Sequence, residues 1–310
     1  MRRIHAATLL FAVGVILSSG LQYATADDEG YQFNPNEMYR MPTHFGPSTG
    51  PRRGPNGERF ENIDAPKVTS ISVSFLTNAE QVEPMLPAGF SLHGEPVVTV
   101  SASYIKEIPW LAGRGYNTLG VSFPVIFQGE EDRARGSFLL VLWENLTDPI
   151  LTGREELGFA KIYAELPEPR FYNGGAHITA SWLGFKFLDM QVSGLEEVEV
   201  DRNPSSGRER DDDGTLLGML HYKYFPRTGE WGSADVAYPV ISPSGHSVSR
   251  VEGLSRGEGS LTFHKARWED MPTQYQIVSA FADLEVLEFR GATMRKTVGG
   301  GDLSYQRILK

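Results

Sequence analysis

Hydrophobic and polar residues alternate along much of the chain from residue 67 onward. In the stretch SISVSFL, Ile71, Val73 and Phe75 alternate with serines, which is the period of two typical of a half-buried strand. Similar runs begin at Val97, Val121, Gly136, His177, Leu216 and Gln276, and turn residues separate them. Because no long amphipathic helix alternates with these runs, a parallel doubly wound sheet is disfavoured. We predict a mainly β fold with short α-helices, built on an antiparallel sheet or barrel.

Two short helices are predicted between the strands. Asn78 is placed to cap the segment AEQVEPML, which Pro87 ends. Thr152 and Glu155 match a capping box, T-x-x-E, which predicts a second short helix as far as Leu157.

The first 66 residues differ in character from the rest of the chain. Two arginines, the apolar run AATLLFAVGVIL and a small-residue site ending at Ala26 follow the pattern of a secretory signal peptide over residues 1–26. An uncleaved anchor is the alternative, but the apolar run is shorter than a membrane span. Residues 27–66, rich in Pro, Gly, Asn and Arg, predict an extended arm, and residues 67–310 predict one domain. We therefore expect a secreted or periplasmic protein, cleaved after Ala26 and without a membrane span after cleavage.

Composition narrows the classes of function. The 310-residue chain has a formal net charge of −10, and removal of Arg2 and Arg3 takes it to −12. Nothing forms the basic patch that phosphate binding requires, so no nucleic-acid partner is expected. The chain has 0 Cys, so its stability must come from burial rather than from disulfides. Asn145 begins a glycosylation acceptor triplet, which has meaning only in a eukaryotic secretory route.

Two patterns with possible chemistry have simpler explanations. GLSRG at 253–257 matches a serine-hydrolase elbow, which must lead into a helix, but the strand-like EGSLTF follows it. A glycine-rich loop is the better interpretation. The 7 histidines show no helical metal-pair spacing, and His177, His221 and His264 are interpreted as structural imidazoles. We expect neither a metal nor a cofactor.

Lys161 is unusual because it lies among Leu157, Phe159 and Ile162. A lysine is almost never fully buried without a partner. Composition alone favours a lysine whose stem is covered while its amine reaches water. The alternative is a buried amine that is available as a nucleophile.

The spacing around Lys161 resembles a known signature. Gly153-Arg154-Glu155, with Lys161 eight residues after the glycine, resembles the motif of acetoacetate decarboxylases and their relatives, whose lysine forms a Schiff base with the substrate ketone. Further similarities, in the same order and spanning roughly residues 67–290, are the strand-helix-proline unit at 75–87, the hairpin residues Tyr116, Gly120, Pro124 and Phe127, and the segments GMLHYKYFPRTGEWGSADV and GEGSLTFHKARWEDMP.

The resemblance implies a fold, a chemistry and a set of site residues. The fold would be a cone-shaped, largely antiparallel β-barrel, usually a homo-oligomer, with an apolar pocket around Lys161. The lysine amine would attack a ketone, and the resulting iminium would act as an electron sink. Tyr116 and Thr118 would be hydrogen-bonding or proton-transfer groups of the catalytic site. The substrate pocket would include Ser101, Phe159, Ile162, Arg154 and Glu155.

The sequence also departs from the family's pattern. The second lysine of the family is replaced by Ile162, its two pocket glutamates fall near Ser101 and Thr118, and its substrate-binding arginine falls near Val68. Carboxylate orientation and proton transfer therefore lack their family agents. We predict a Schiff-base-forming lyase for a small-molecule keto acid or ketone, in the first place a β-keto acid decarboxylase. The alternatives are an aldolase or dehydratase using the same lysine, and a non-catalytic binder of a small hydrophobic ligand.

Overall fold

The computed structural model describes residues 32–200 and 207–310. The predicted signal peptide therefore lies outside the described residues. The chain divides into two compact units with a boundary between Ser48 and Thr49. The described residues of the first unit include a 3₁₀ turn at Thr43–Phe45 and an edge-on contact of Phe33 with Tyr39.

The second unit is built mainly of strands. The strands are β1 (Lys67–Leu76), β2 (Phe90–Leu92), β3 (Val97–Lys106), β4 (Tyr116–Gln128), β5 (Arg133–Glu144), β6 (Lys161–Tyr163), β7 (Arg170–Tyr172), β8 (Gly175–Trp182), β9 (Phe185–Glu197), β10 (Leu216–Pro226), β11 (Ala234–Pro243), β12 (Arg250–Phe263), β13 (Glu288–Val298) and β14 (Arg307–Ile308). The helices are α1 (Ala79–Val82), α2 (Thr147–Thr152) and α3 (Tyr275–Ala282), and short 3₁₀ turns lie at Gly50–Arg52, Glu83–Met85 and Pro109–Leu111. In the part of the chain that the structure describes, no helix has the length and hydrophobicity to cross a membrane.

The strands form one mixed sheet. Its order is β14-β11-β10-β5-β4-β3-β1-β13-β12-β9-β8-β7, with β2 beside β4 and β6 beside β5. Neighbours are antiparallel except that β5 runs parallel to both β6 and β10. The prediction of a mainly β fold with short helices is confirmed. Among the described strands the sheet is not closed, because its path ends at β7 and β14 without pairing them. The parallel β5–β6 pair arises because the crossover through α2 returns the chain in the direction of β5.

The alternation predicted for β1 separates an apolar face from a polar one. Ile71, Val73 and Phe75 are at most 1% exposed and belong to the main hydrophobic core. The serines of β1 face the other side and pair with hydroxyls of β3, with Ser70 to Ser103 and Ser72 to Ser101 each at 2.8 Å between Oγ atoms. One face of this sheet is therefore core, and the other presents polar side chains.

Three short segments show how local sequence patterns compare with the structure. Asn78 does cap α1, since its side chain accepts a hydrogen bond from the Glu80 amide at 3.0 Å. The run from Gln276 begins as helix α3 rather than a strand, because Val278 and Phe281, three residues apart, bury one helical face. The glycines at 253–257 lie within strand β12 and not in a loop. At Gly257 a Cβ would lie 2.3 Å from the Ser193 carbonyl oxygen, so the glycine permits close backbone approach.

Candidate active site

A tight helical turn precedes Lys161 in the chain. Helix α2 continues into a π-helical turn at Gly153–Leu157, and Gly158, at φ 81°, ends it in the left-handed conformation. The predicted capping box is wrong. Thr152 has helical φ and ψ (−55°, −47°) and lies inside the helix, whose N-cap is Leu146. Lys161 follows this turn as the first residue of β6.

The amine of Lys161 is buried and paired. The side chain is 8% exposed, and Nζ lies 2.8 Å from Oε1 of Glu144 and donates to the Pro149 carbonyl at 3.0 Å. The Phe159 ring centroid is 5.7 Å from Nζ. The expectation from composition, an amine that reaches bulk water, is therefore wrong, and the alternative of a buried amine is what the structure has.

Gly153 leaves room for the lysine side chain. A Cβ at this position would lie 2.3 Å from Cε and 2.5 Å from Nζ of Lys161. The glycine of the Gly-Arg-Glu motif is thus required because any larger side chain would overlap the lysine side chain. Arg154 donates from Nη1 to the carbonyl oxygen of Lys161 at 2.9 Å, so this arginine holds the lysine backbone.

Glu144, at the end of β5, is a site residue that the sequence analysis missed. It is 1% exposed, and its second oxygen, Oε2, has no hydrogen-bond partner among the described residues. Burial raises the pKa of the Glu144 carboxyl, and the charge and hydrogen bond of Lys161 oppose that rise. The only sequence signal was an acid at the end of an apolar run, GSFLLVLWE.

The register of the sheet relates Glu144 to the predicted site residues. Thr118 lies directly opposite Glu144 across β4 and β5, and Ser103 lies opposite Thr118 on β3. Opposed residues share a face of the sheet. The carboxylate therefore lies one strand away from Thr118, the position at which the resemblance implied a glutamate. Ser101 is not at the lysine, because its hydroxyl accepts from Ser72 at 2.8 Å.

A cavity of about 330 Å³ opens at Lys161. Its wall includes Lys161 and Tyr116, so the structure brings these two predicted residues together. Burial, and secondly the Glu144 carboxylate, raise the pKa of the Tyr116 phenol, which stays protonated at neutral pH. The rest of the wall is mostly apolar or glycine and comes from distant segments, among them Pro51, Val68, Ile105, Trp110, Leu157, Gly300 and Leu303.

The other predicted pocket residues lie outside this cavity wall. Phe159 is buried behind the site and packs on the His221 ring at 4.1 Å between centroids. Ile162 faces away from Lys161, as successive strand residues do, and packs against the main core. Arg154 binds the lysine backbone, and the carbonyl oxygen of Glu155 accepts from Lys223 Nζ at 2.8 Å.

Two residues of β10 support the helical turn from behind. Lys223 Nζ donates to the Glu155 carbonyl and, at 3.3 Å, to the Glu156 carbonyl, which satisfies oxygens that a helix end leaves free. His221 is fully buried and donates from Nε2 to the Leu157 carbonyl at 2.9 Å. Burial lowers the pKa of His221 to about 4, so the imidazole is neutral at pH 7.

Elsewhere the described residues offer weaker candidates. A larger cavity of about 700 Å³ is lined by Tyr104, Lys106 and Glu168, but it contains neither Lys161 nor Tyr116. His177 and His264 both contact the Asp189 carboxylate, at 3.0 and 2.7 Å. In residues 32–200 and 207–310, no group of three or more histidine or acidic side chains is arranged to hold a metal ion.

Comparisons with known proteins identify the family of the chain. The sequence matches the acetoacetate decarboxylase (ADC) family over residues 40–306. The chain therefore belongs to the acetoacetate decarboxylase family, whose class is that of Schiff-base lyases. A comparison with curated protein sequences finds no match.

Solved structures share the fold at low identity. The acetoacetate decarboxylase of Legionella pneumophila subsp. pneumophila str. Philadelphia 1 is 15% identical, with a TM-score of 0.56 over 83% of this chain and 92% of that one. The enduracididine biosynthesis enzyme MppR complexed with pyruvate is 16% identical, with a TM-score of 0.53 over 83% of this chain and 95% of that one. An acetoacetate decarboxylase-like enzyme from Sphingomonas wittichii RW1 is 16% identical, with a TM-score of 0.50 over 83% and 97%. These likenesses concern the fold.

Proposed function

We propose that the protein is a lyase that binds a ketone or keto acid as a Schiff base on Lys161. The observation that carries this proposal is the contact of a buried lysine amine with a buried carboxylate at the wall of a cavity. A free lysine is protonated at neutral pH and is not a nucleophile. Oε1 of Glu144, 2.8 Å from Nζ, supplies a base for the proton that must be removed.

Proton transfer within the pair starts the reaction. A proton passes from Lys161 Nζ to Oε1 of Glu144, which leaves a neutral amine beside a neutral acid. The amine attacks the carbonyl carbon. The carbonyl oxygen then leaves as water, with one proton from the amine and one from Glu144, and the products are an iminium and the Glu144 carboxylate.

The iminium supports more than one lyase reaction. From a β-keto acid, the bond to the carboxylate breaks, carbon dioxide leaves, and the electron pair forms an enamine that is protonated and hydrolysed. From a β-hydroxy ketone, the same electron sink supports retro-aldol cleavage or loss of water. The Tyr116 phenol, which lines the cavity and keeps its proton, is the group that we assign to hydrogen bonding with the bound substrate.

A non-catalytic binder is the competing function, and the pairing of Lys161 with Glu144 is the observation that favours it. A buried ion pair is a stable resting arrangement when nothing removes the proton. A binder would keep its affinity for a small apolar carbonyl compound after Lys161→Ala.

Reductive trapping tests the proposal. The purified protein is incubated with borohydride and a panel of ketones and keto acids, and adducts are located by intact mass and peptide mapping. We expect a mass gain on Lys161 that Lys161→Ala abolishes, whereas the matched surface variant Lys186→Ala keeps it. Folded protein without an adduct from any panel member would exclude the Schiff-base function.

Processing and assembly are further proposals. Supported by the sequence pattern, we propose export with cleavage after Ala26, so that the mature chain begins at Asp27. The family resemblance supports a homo-oligomer. Intact mass and light scattering on protein recovered from the exported fraction test both statements. A retained N-terminus or a monomeric mass would contradict them respectively.

A further inference from the structure

We propose that the carbonyl compound taken by Lys161 is uncharged: a ketone without a carboxylate group. This inference rests on the proposed Schiff-base function and narrows its substrate class. It follows from the charged side chains in and around the cavity wall.

The cavity wall has no spare positive charge. Among the described residues that line it, Lys161 is the one cation and Asp302 the one acid. The charge of Lys161 is already matched by Glu144 at 2.8 Å. Formation of the iminium does not change this balance, because the iminium nitrogen carries the same single positive charge beside the same carboxylate. The pair therefore sums to zero before and after imine formation.

Three arginines that bond to wall residues or adjoin them in sequence have other partners. Arg59 Nη2 binds Asp302 at 2.9 Å, Arg154 binds the carbonyl of Lys161 at 2.9 Å, and Arg250 Nη1 binds the carbonyl of Ile63 at 2.9 Å. None of the three lines the cavity. Val68 does, so an apolar side chain stands in the wall at the position where the family resemblance placed a substrate-binding arginine.

The remaining acid at the wall is paired. Burial acts to raise the pKa of Asp302, but hydrogen bonds from Ser304 and Arg59 outweigh it and hold that pKa below its usual range. Asp302 is therefore ionised at neutral pH, and its charge is matched by Arg59 at 2.9 Å. A substrate carboxylate would lose its hydration in an apolar cavity and find no free cation in its wall, and both disfavour binding. The hydroxyls of Tyr116, Ser247 and Ser249 at the wall instead suit an uncharged polar substrate.

The substrate class narrows the reaction. A ketone without a carboxylate has no carbon dioxide to lose, so decarboxylation is excluded, and retro-aldol cleavage or loss of water from the iminium of a β-hydroxy ketone remains. In retro-aldol cleavage the hydroxyl proton passes to water, the bond between the α and β carbons breaks, and the electron pair forms the enamine while an aldehyde leaves. The enamine carbon then takes one proton, and one water releases the ketone and Lys161.

A matched pair of probes tests the inference. The probes are 4-oxopentanoate and 4-oxopentanamide, which have the same length and differ in the charge of one end. Each is trapped on the purified protein with cyanoborohydride over a range of concentrations, and the adduct on Lys161 is measured by mass. We expect half-maximal trapping by the amide at a concentration at least tenfold lower than by the acid. Equal concentrations, or a preference for the acid, would overturn the inference and leave the Schiff-base function standing. Folded protein with no adduct from either probe would overturn both.

A substitution at the cavity wall gives a second, independent test of the inference. Val68→Arg adds a guanidinium to the cavity, and Val68→Gln is the control with added length but no charge. We expect Val68→Arg to lower the half-maximal concentration of the acid at least tenfold relative to Val68→Gln, with little change for the amide. The same response of the acid to both variants would show that charge at the wall does not exclude it, and would overturn the inference.

Discussion

At the scale of single residues, the site depends on where its acid lies. The resemblance implied glutamates near Ser101 and Thr118, yet the carboxylate comes from Glu144, directly opposite Thr118 on the neighbouring strand. Because opposed residues share a face, moving an acid across one strand pair keeps it on the side of the sheet that faces the lysine. In the mechanism that we propose, its contact with Lys161 at 2.8 Å makes Glu144 the base that takes a proton from the amine.

Replacement of Glu144 tests this role. Glu144→Gln keeps the shape of the side chain and removes the base, so we expect trapping of a ketone on Lys161 at pH 7 to slow by about 10²-fold. At pH 10, where solvent hydroxide can deprotonate the amine, the deficit should shrink. Glu165→Gln, which alters a glutamate bonded to Ser181, is the matched control. Trapping of the Glu144→Gln protein at the parent rate at pH 7 would show that Glu144 is not the base for Lys161.

At the scale of elements, the helical turn before β6 combines two requirements. It must end early enough for Lys161 to begin a strand, and it must leave space for the lysine side chain across Gly153. Lys223 and His221 of β10 hold the carbonyls of the turn in place. The turn is therefore fixed by tertiary contacts, which explains why a local capping box misplaced its start.

Gly153→Ala tests the space that the lysine side chain needs. Alanine suits the helical conformation of residue 153, which alone would raise stability by up to about 1 kcal/mol. Its Cβ would, however, occupy the space of Lys161 Cε and Nζ, and moving the amine away from Glu144 would leave a buried carboxylate without its partner, which is destabilising. We expect trapping on Lys161 to fall at least tenfold and the midpoint of thermal unfolding to drop. Undiminished trapping would mean that the lysine reacts from another position.

At the scale of the whole molecule, local patterns predicted elements but not the cavity. The alternation in β1 and the spacing from Gly153 to Lys161 each lie within a few residues, so they could be recognised in the sequence. Glu144 could not be assigned, because its role depends on the register between β4 and β5 and on the crossover to β6. Helix α3 could not be recognised from its sequence, because its apolar run also fits a strand. The acid Asp302 belongs to a loop whose position is set by a hydrogen bond from Arg59, 243 residues away.

The segment before β1 is the clearest case of a long-range contribution to the site. Residues 27–66 were predicted as an extended arm, yet Pro51, Asn62 and Pro66 line the Lys161 cavity. This stretch is held by the Arg59–Asp302 pair and by the Gly300 amide, which donates to the Asn62 carbonyl at 2.9 Å. Such contacts leave no periodic pattern in a sequence.

Two shortened chains test that contribution. A chain that begins at Thr49 keeps these wall residues, and we expect it to retain the parent concentration for half-maximal trapping of 4-oxopentanamide. A chain that begins at Lys67 lacks them, so the cavity is open to water on that side and the concentration should rise at least tenfold. Arg59→Ala in the parent chain, which releases the segment from Asp302 and leaves every strand intact, should shift trapping in the same direction. If the chain from Lys67 is folded and traps the amide like the parent, the sheet and the helical turn alone build the site, and residues 49–66 serve another purpose.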